Sequence, residues 1–266
     1  MQLFVYGSLL RGMSLSQTME GTKFLGPAYV KADLFFLGFY PGIIPGNQIV
    51  FGELYEVPET IIPKIDEVED YIELDNEKSL YLRQPIDAFR LVDGAKVQSS
   101  AYYYNRNADG KPRIESGDYR IFMGNRQSDT SWIVSYGSDM SKDKIFSKLG
   151  FIPDSKIGHI DGFERVYNVK TGINGYAFAN LSFTGSANEC KSVAWNLTNE
   201  QILKLDHTED VPNLFHRVSI PFTTSEGDTI IAQTYLANTQ RLSVNLHPDP
   251  SYMSFVETGK LENNIN

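Results

Sequence analysis

The strongest constraint on this chain is that it repeats itself. An apolar run, Leu3-Phe4-Val5-Tyr6, breaks into Gly7-Ser8-Leu9-Leu10-Arg11-Gly12, and 130 residues later Ile133-Val134-Ser135-Tyr136 breaks into Gly137-Ser138-Asp139-Met140. A second matching set is offset by 140 residues: Ile62, Ile65, Asp66 and Glu69 answer to Ile202, Leu205, Asp206 and Glu209. Each set is followed by an aromatic-x-Arg, Tyr81-Leu82-Arg83 and Phe215-His216-Arg217. The two offsets imply a net ten-residue insertion between loop and helix in the second copy. Two copies are too few for a solenoid, and 266 residues suffice for two domains that each bury a core. The expected domains are 1–125 and 131–266, joined within the stretch Gly124–Ser131.

Within each copy, an apolar run ending in Gly-Ser reads as a buried strand breaking into a tight loop. Gly7 and Gly12 can adopt backbone angles closed to other residues and let a ligand approach the main chain. Such a turn points several N–H groups one way, a concave site for an anion or a developing oxyanion. No Gly-Lys-Ser/Thr follows, so this is not a nucleotide phosphate loop. Gly38–Gly46 is dense in turn formers, and Gly42 and Gly46 make it read as a loop that lines something. Val50–Val57 reads as a strand. Pro58-Glu59-Thr60 then opens a helix bearing Ile61, Ile62, Ile65, Val68 and Ile72, and two strands flank Asp93-Gly94. In the second copy a helix is expected near Lys142–Leu149, and Thr198-Asn199-Glu200-Gln201 is a capping box that starts another.

The position that breaks the pattern is Glu69. At 100° per residue from Ile62, Ile65 lies at about −60°, Ile72 at about −80° and Glu69 at about −20°. Glu69 is thus inside the apolar stripe, and Glu209 falls likewise between Ile202 and Leu205. A buried carboxylate is costly unless paired or used. Salt bridges to Arg83 and Arg217 are the plain explanation; recurrence beside a recurring N–H loop favours a site. A desolvated Glu has a raised pKa and can accept and return a proton near neutrality.

Other chemistries find little support. Ser8 and Ser138 recur without a recurring His to act as base. His159, His207, His216 and His247 lack metal-ligand spacing, so no metal and no cofactor is expected. Cys190 is the only cysteine and has no counterpart in the first copy, so it reads as packing. Lys and Arg number 24 against 33 Asp and Glu, a net charge of −9, which argues against nucleic-acid and anionic-membrane partners. There is no signal-peptide pattern and no membrane-length apolar run, so cytoplasm is the default location.

Taken in order, these motifs resemble the gamma-glutamylcyclotransferase-like family, present twice. The first copy is similar to the shorter branch, which includes AIG2-like proteins and gamma-glutamylamine cyclotransferases. It has Tyr6-Gly7-Ser8-Leu9, the Pro41–Pro45 loop, Gly52-Glu53-Leu54-Tyr55, Asp66–Tyr71, Tyr81–Arg83 and Ser116–Tyr119. The second copy looks more like the longer branch, with Tyr136–Met140, Ala177–Leu181, Val193-Ala194-Trp195 and Asp206–Glu209. The resemblance implies an α+β fold: two tandem domains, each a small mixed β-barrel with short helices around a central cavity. It also implies release of 5-oxoproline and an amine or amino acid from a small gamma-glutamyl substrate. Glu69 and Glu209 would be the catalytic residues. Tyr6, Gly7, Ser8 and Leu9, and Tyr136, Gly137, Ser138 and Asp139, would bind substrate. The competing reading is a binding or sensing module that keeps the fold without turnover, and an intermediate one is a chain with one active copy. Asp139 would repel a substrate carboxylate unless a cation such as Arg217 intervenes. Only eight positions separate Glu209 from Arg217, against fourteen from Glu69 to Arg83, leaving less chain to wall the second cavity. The first copy is therefore expected to carry most of the turnover.

Overall fold

The computed structural model describes residues 1–172, 175–185 and 187–265. Residues 173, 174, 186 and 266 of the expected second domain lie outside the described residues. The chain divides into two compact units, Met1–Phe122 and Met123–Asn266.

In the first unit five strands close a barrel: β1 (Gln2–Val5), β2 (Lys23–Phe36), β3 (Pro41–Glu56), β4 (Tyr81–Arg90) and β5 (Lys96–Tyr104). The cyclic order is β1-β3-β2-β4-β5, and β5 closes on β1 in parallel through Ser100 opposite Leu3. β2 shows the period-2 burial of a strand with one face inward: Ala28, Val30, Ala32, Leu34 and Phe36 are buried and their neighbours are not. The short helix α1 (Ile62–Val68) links β3 to β4, and α2 (Tyr119–Gln127) follows β5. The unit break falls inside α2, so the expected linker 124–131 holds the end of a helix and the start of the next strand. Leu3, Val5, Leu9, Leu10, Tyr55, Ile65, Tyr81 and Tyr102 pack into one apolar cluster under the glycine loop.

The second unit repeats the design with β6 (Thr130–Ser135), α3 (Lys142–Leu149), β7 (Ser155–Asp161), β8 (Phe163–Lys170), β9 (Tyr176–Phe183) and β10 (Glu189–Thr198). It continues with α4 (Asn199–Thr208), β11 (Phe215–Thr224), β12 (Thr229–Ala237), β13 (His247–Pro248) and α5 (Pro250–Glu262). β10-β6-β12-β11-β7 close a barrel in the same cyclic order, again with a parallel join, Gln233 opposite Ile133. Register locates the insertion. Ala28 pairs with Gly52, and Gly158 with Ser192, so the offset changes from 130 to 140 between these two pairing points. The chain between them contains β8 and β9, which form a separate three-stranded sheet with β13. The capping box forms as expected: Thr198 N–H donates to Gln201 Oε1 at 2.9 Å, and Gln201 N–H to Thr198 Oγ1 at 3.4 Å.

One expected loop is a strand. Pro41–Gly46 belongs to β3 and pairs with β2 from Phe36–Pro41 to Asp33–Ile44; the turn is confined to residues 37–40. The register slips after Ile44, a bulge that holds Pro45, which has no N–H to give a ladder. No helix among the described residues is long and apolar enough to cross a membrane.

Candidate active site

Both glutamates stand at a helix end rather than on a helix face. α1 stops at Val68 with Glu69 as its C-terminal cap. Asp70 N–H donates to Glu67 O (3.2 Å) and Tyr71 N–H to Asp66 O (2.9 Å), while Asp70 takes φ +50°. This is a Schellman ending with aspartate in the left-handed position usually held by glycine. The second copy repeats it: Glu209 caps α4, Asp210 has φ +50°, and Asp210 and Val211 donate to His207 O and Asp206 O. Ile72 therefore lies beyond the helix and is 43% exposed, contrary to the helical projection. The main-chain reversal, with Ile65 fully buried beneath it, directs the carboxylate inward.

The arginines do not pair with these glutamates. Arg83 Nη1 donates to both Asp66 oxygens at 2.8 Å, and the Tyr102 hydroxyl donates to Asp66 Oδ1 at 2.7 Å. In the second copy Arg217 pairs with Asp206 (2.9 Å), as does the Tyr235 hydroxyl (2.9 Å). The same tyrosines receive the loop tyrosines: Tyr6 donates to Tyr102 O at 2.6 Å and Tyr136 to Tyr235 O at 2.5 Å. Two copies thus share one scaffold, Arg–Asp–Tyr–Tyr, joining the helix end to the glycine loop.

In the first copy Glu69 lines a cavity of about 90 Å³ with Tyr6, Gly7, Ser8, Leu9, Tyr40 and Tyr81 among its walls. Among the described residues Glu69 is the only charged one there. The residue as a whole is half-buried, but its carboxyl group is enclosed; burial, and then the Asp66 charge, push its pKa up to about 8. Tyr6 and Tyr81 are held as neutral hydroxyls by burial, reinforced by Glu69, and both spend their protons on carbonyls, Tyr81 on Pro41 O at 2.5 Å. Among the described residues the Ser8 and Leu9 N–H groups donate to no protein acceptor. Gly7 is required by proximity, since a Cβ there would meet Pro41 Cγ at 2.7 Å; Gly12, with φ +79°, is required by conformation.

The loop is fixed by the glutamate of the Gly52-Glu53-Leu54-Tyr55 strand, a residue to which the sequence alone assigns no role. Glu53 on β3 is 1% exposed and receives Arg11 N–H (3.0 Å), Arg11 Nε (3.1 Å), Arg120 Nη1 (3.0 Å) and the Tyr55 hydroxyl (2.7 Å). Burial opposes its charge, but Arg120 and Arg11 outweigh burial and hold its pKa at about 2. The clue was a carboxylate inside the apolar run Val50–Tyr55.

The second cavity is built from different chemistry. It measures about 220 Å³ and is lined by Tyr136, Gly137, Ser138, Asp139 and Glu209, so the structure brings the expected residues together there too. It is larger than the first, contrary to the expectation from the short Glu209–Arg217 segment, because Phe178 and Ala179 of β9 and Tyr252 of α5 supply its walls. Lys148 on α3 donates to Glu209 Oε1 at 2.5 Å and to Asp139 Oδ2 at 2.6 Å. This lysine, not Arg217, is the intervening cation. Burial raises the Glu209 pKa and the Lys148 ammonium opposes it; for Lys148, the two carboxylates outweigh burial and raise its pKa. The loop N–H of Ser138 is covered by the Tyr252 hydroxyl at 3.3 Å. Register puts Val193 where the first copy has Glu53 and Trp195 where it has Tyr55, and the Trp195 indole N–H donates to Asp139 O at 2.9 Å.

Two closed mixed barrels, each with a glycine loop beside a helix-end glutamate, define a duplicated α+β fold. The family described as gamma-glutamyl cyclotransferase, AIG2-like, matches residues 3–121 and again 133–254, and the chain belongs to that family. The gamma-glutamylcyclotransferase family protein YtfP of Escherichia coli K12 is 33% identical over 120 residues, 45% of this chain and 96% of the relative. The gamma-L-glutamyl-butirosin B gamma-glutamyl cyclotransferase of Niallia circulans is 36% identical over 107 residues, 40% of this chain and 67% of the relative. The crystal structure of YkqA from Bacillus subtilis shares the fold, with TM-score 0.75 at 19% identity over 98% of this chain and 91% of that one.

Proposed function

We propose that the first copy is a gamma-glutamylcyclotransferase with Glu69 as its general base and acid. The observation that carries this reading is an enclosed carboxyl, pushed up to about 8, in a cavity shared with the glycine loop; among the described residues it has no cationic partner and the Ser8 and Leu9 N–H groups are unspent. The names of the relatives agree with it.

In this scheme the substrate's α-ammonium loses a proton to Glu69. The freed amine attacks the γ-carbonyl carbon and forms the new C–N bond; the ring nitrogen then gives up a second proton, the γ-amide C–N bond breaks, and both protons, relayed through Glu69, leave on the departing amine as an ammonium while 5-oxoproline is released. No water is consumed. An amine of pKa roughly 8 is poorly served by a carboxylate near 4.3, and a base near 8 removes that mismatch. Ring closure is intramolecular, so holding the chain folded supplies much of the acceleration. The N–H groups of Ser8 and Leu9 suit the α-carboxylate or the developing oxyanion.

The test is 5-oxoproline release from a panel of gamma-glutamyl amines, gamma-glutamyl dipeptides and glutathione. Release from one class, lost in Glu69→Gln, is the expected result. Binding without release across the panel would favour the sensing module, a reading for which the Lys148 clamp on Glu209 is the specific support in the second copy.

A further inference from the structure

The second cavity differs from the first in the arithmetic of its charges. Its charged lining residues are Asp139, Glu209, Lys148 and Lys144, which sum to zero, whereas the first cavity has Glu69 alone. Lys148 satisfies one oxygen of each carboxylate. That leaves Glu209 Oε2 without a donor among the described residues, and Asp139 Oδ1 with only a 3.5 Å contact from the Ser138 hydroxyl. Two carboxylates sharing one ammonium retain a net negative charge and two acceptor atoms, a fit for a second ammonium.

Lys144 stands one turn earlier on α3. It borders both this cavity and an adjoining chamber of about 290 Å³, with Phe178 and Tyr252 between them. Its ammonium lies 5.0 Å from the centroid of the Phe255 ring and makes no ion pair among the described residues. Of the two loop N–H groups that correspond to Ser8 and Leu9, that of Ser138 is already covered by Tyr252. Lys144 is the lining cation without an ion pair among the described residues, and so the one open to an incoming carboxylate.

We propose that the second cavity is a non-catalytic binding site for a zwitterion of amino-acid or dipeptide size, its ammonium held by Asp139 and Glu209 and its carboxylate by Lys144. Lys148 keeps Glu209 committed to an ion pair, so the site holds its ligand without deprotonating it. The adjoining chamber takes the ligand's far end. This reading does not depend on turnover in the first copy.

Calorimetry on the full chain carrying Glu69→Gln tests it, with L-glutamine and L-alanyl-L-glutamine as probes. N-acetylated and carboxamide forms of each serve as comparisons. The expected result is saturable binding of at least one zwitterion, weakened about tenfold or more by capping either end and by Asp139→Asn or Lys144→Gln. Lys144 is partly exposed, so its replacement leaves the fold intact, and a melting curve checks that. Absence of binding by both probes, or binding indifferent to both substitutions, overturns the proposal. So does release of 5-oxoproline from a gamma-glutamyl dipeptide by the Glu69→Gln chain that Glu209→Gln abolishes. Failure of the cyclotransferase reading would show in the wild-type release assay and leaves this measurement untouched.

Discussion

The two copies place a glutamate at the same helix end, beside the same loop, on the same Arg–Asp–Tyr–Tyr scaffold, yet leave it in opposite electrostatic situations. Glu69 has burial and a like charge against it and, among the described residues, no cation for relief. Glu209 has Lys148 at 2.5 Å. The loops differ in the same sense. The first is pinned by a buried ion cluster around Glu53 and keeps its N–H groups unspent; the second is pinned by an indole N–H and has one N–H covered by a tyrosine. The backbone sets where the carboxylate stands, and the residues around it set what it can do.

The largest effect expected from this contrast is kinetic. Glu69→Gln should lower 5-oxoproline release by roughly two to four orders of magnitude, the usual worth of a general base, while Glu209→Gln changes it little. Equal losses in the two variants would break the comparison.

Next is stability. Lys148→Met removes the ammonium that both Asp139 and Glu209 contact, leaving only the more distant Lys144, and should destabilise the second unit by roughly 2–4 kcal/mol at neutral pH, recovered as the carboxyls are protonated in acid. A melt that is unchanged at pH 7 would show the clamp to be incidental.

The copies should also separate in acid. The folded pKa of Glu53 lies at about 2, below its ordinary 4.5, so its stabilising contribution is present above 4.5 and is lost as pH falls through 2. Val193 in the second copy contributes nothing of the kind. Glu53→Gln should flatten this loss in the first unit alone, followed by unit-specific fluorescence or amide exchange. Glu69 has the opposite sign. Its folded pKa of about 8 lies above its ordinary value, so its contribution is present below 4.5 and is lost as pH rises through 8. Glu69→Gln should therefore gain stability relative to wild type in alkali.

The smallest expected effect is a shift in a pH profile. Activity should rise with pH towards about 8, and Asp66→Asn, by removing the nearby negative charge, should move that limb to lower pH by less than about one unit. An unmoved limb would assign it to the substrate amine rather than to Glu69.

Much of this was legible in the chain. The duplication, the glycine loops, α3, the capping box of α4 and the two glutamates all rest on local signals: spacing, periodicity and turn chemistry. What could not be read was set by distant partners. Lys148 is 61 residues from Glu209, and nothing in the Lys142–Leu149 helix says which face meets a carboxylate. The larger second cavity depends on β9 and α5, far along the chain from the short segment that suggested a smaller one. The extension of β3 into Pro41–Gly46 was hidden by residues that normally mark turns and here permit a bulge. Ile72 misled because a 3.6-residue projection was carried past a helix end announced only by an aspartate in a glycine's conformation.

Barrel closure has a consequence for how such a chain is made. A duplicated polypeptide carries two sets of strands cut to one pattern, and each strand of the first has a near-double in the second. During synthesis an open sheet would offer its unpaired rim to the wrong double, the route by which tandem repeats exchange segments or aggregate. In both units the last barrel strand joins the first in parallel, Ser100 to Leu3 and Gln233 to Ile133, so neither finished ring has a rim to offer. Each copy therefore withdraws from competition once its ring closes, and the order of emergence lets the first do so before the strands of the second exist in full.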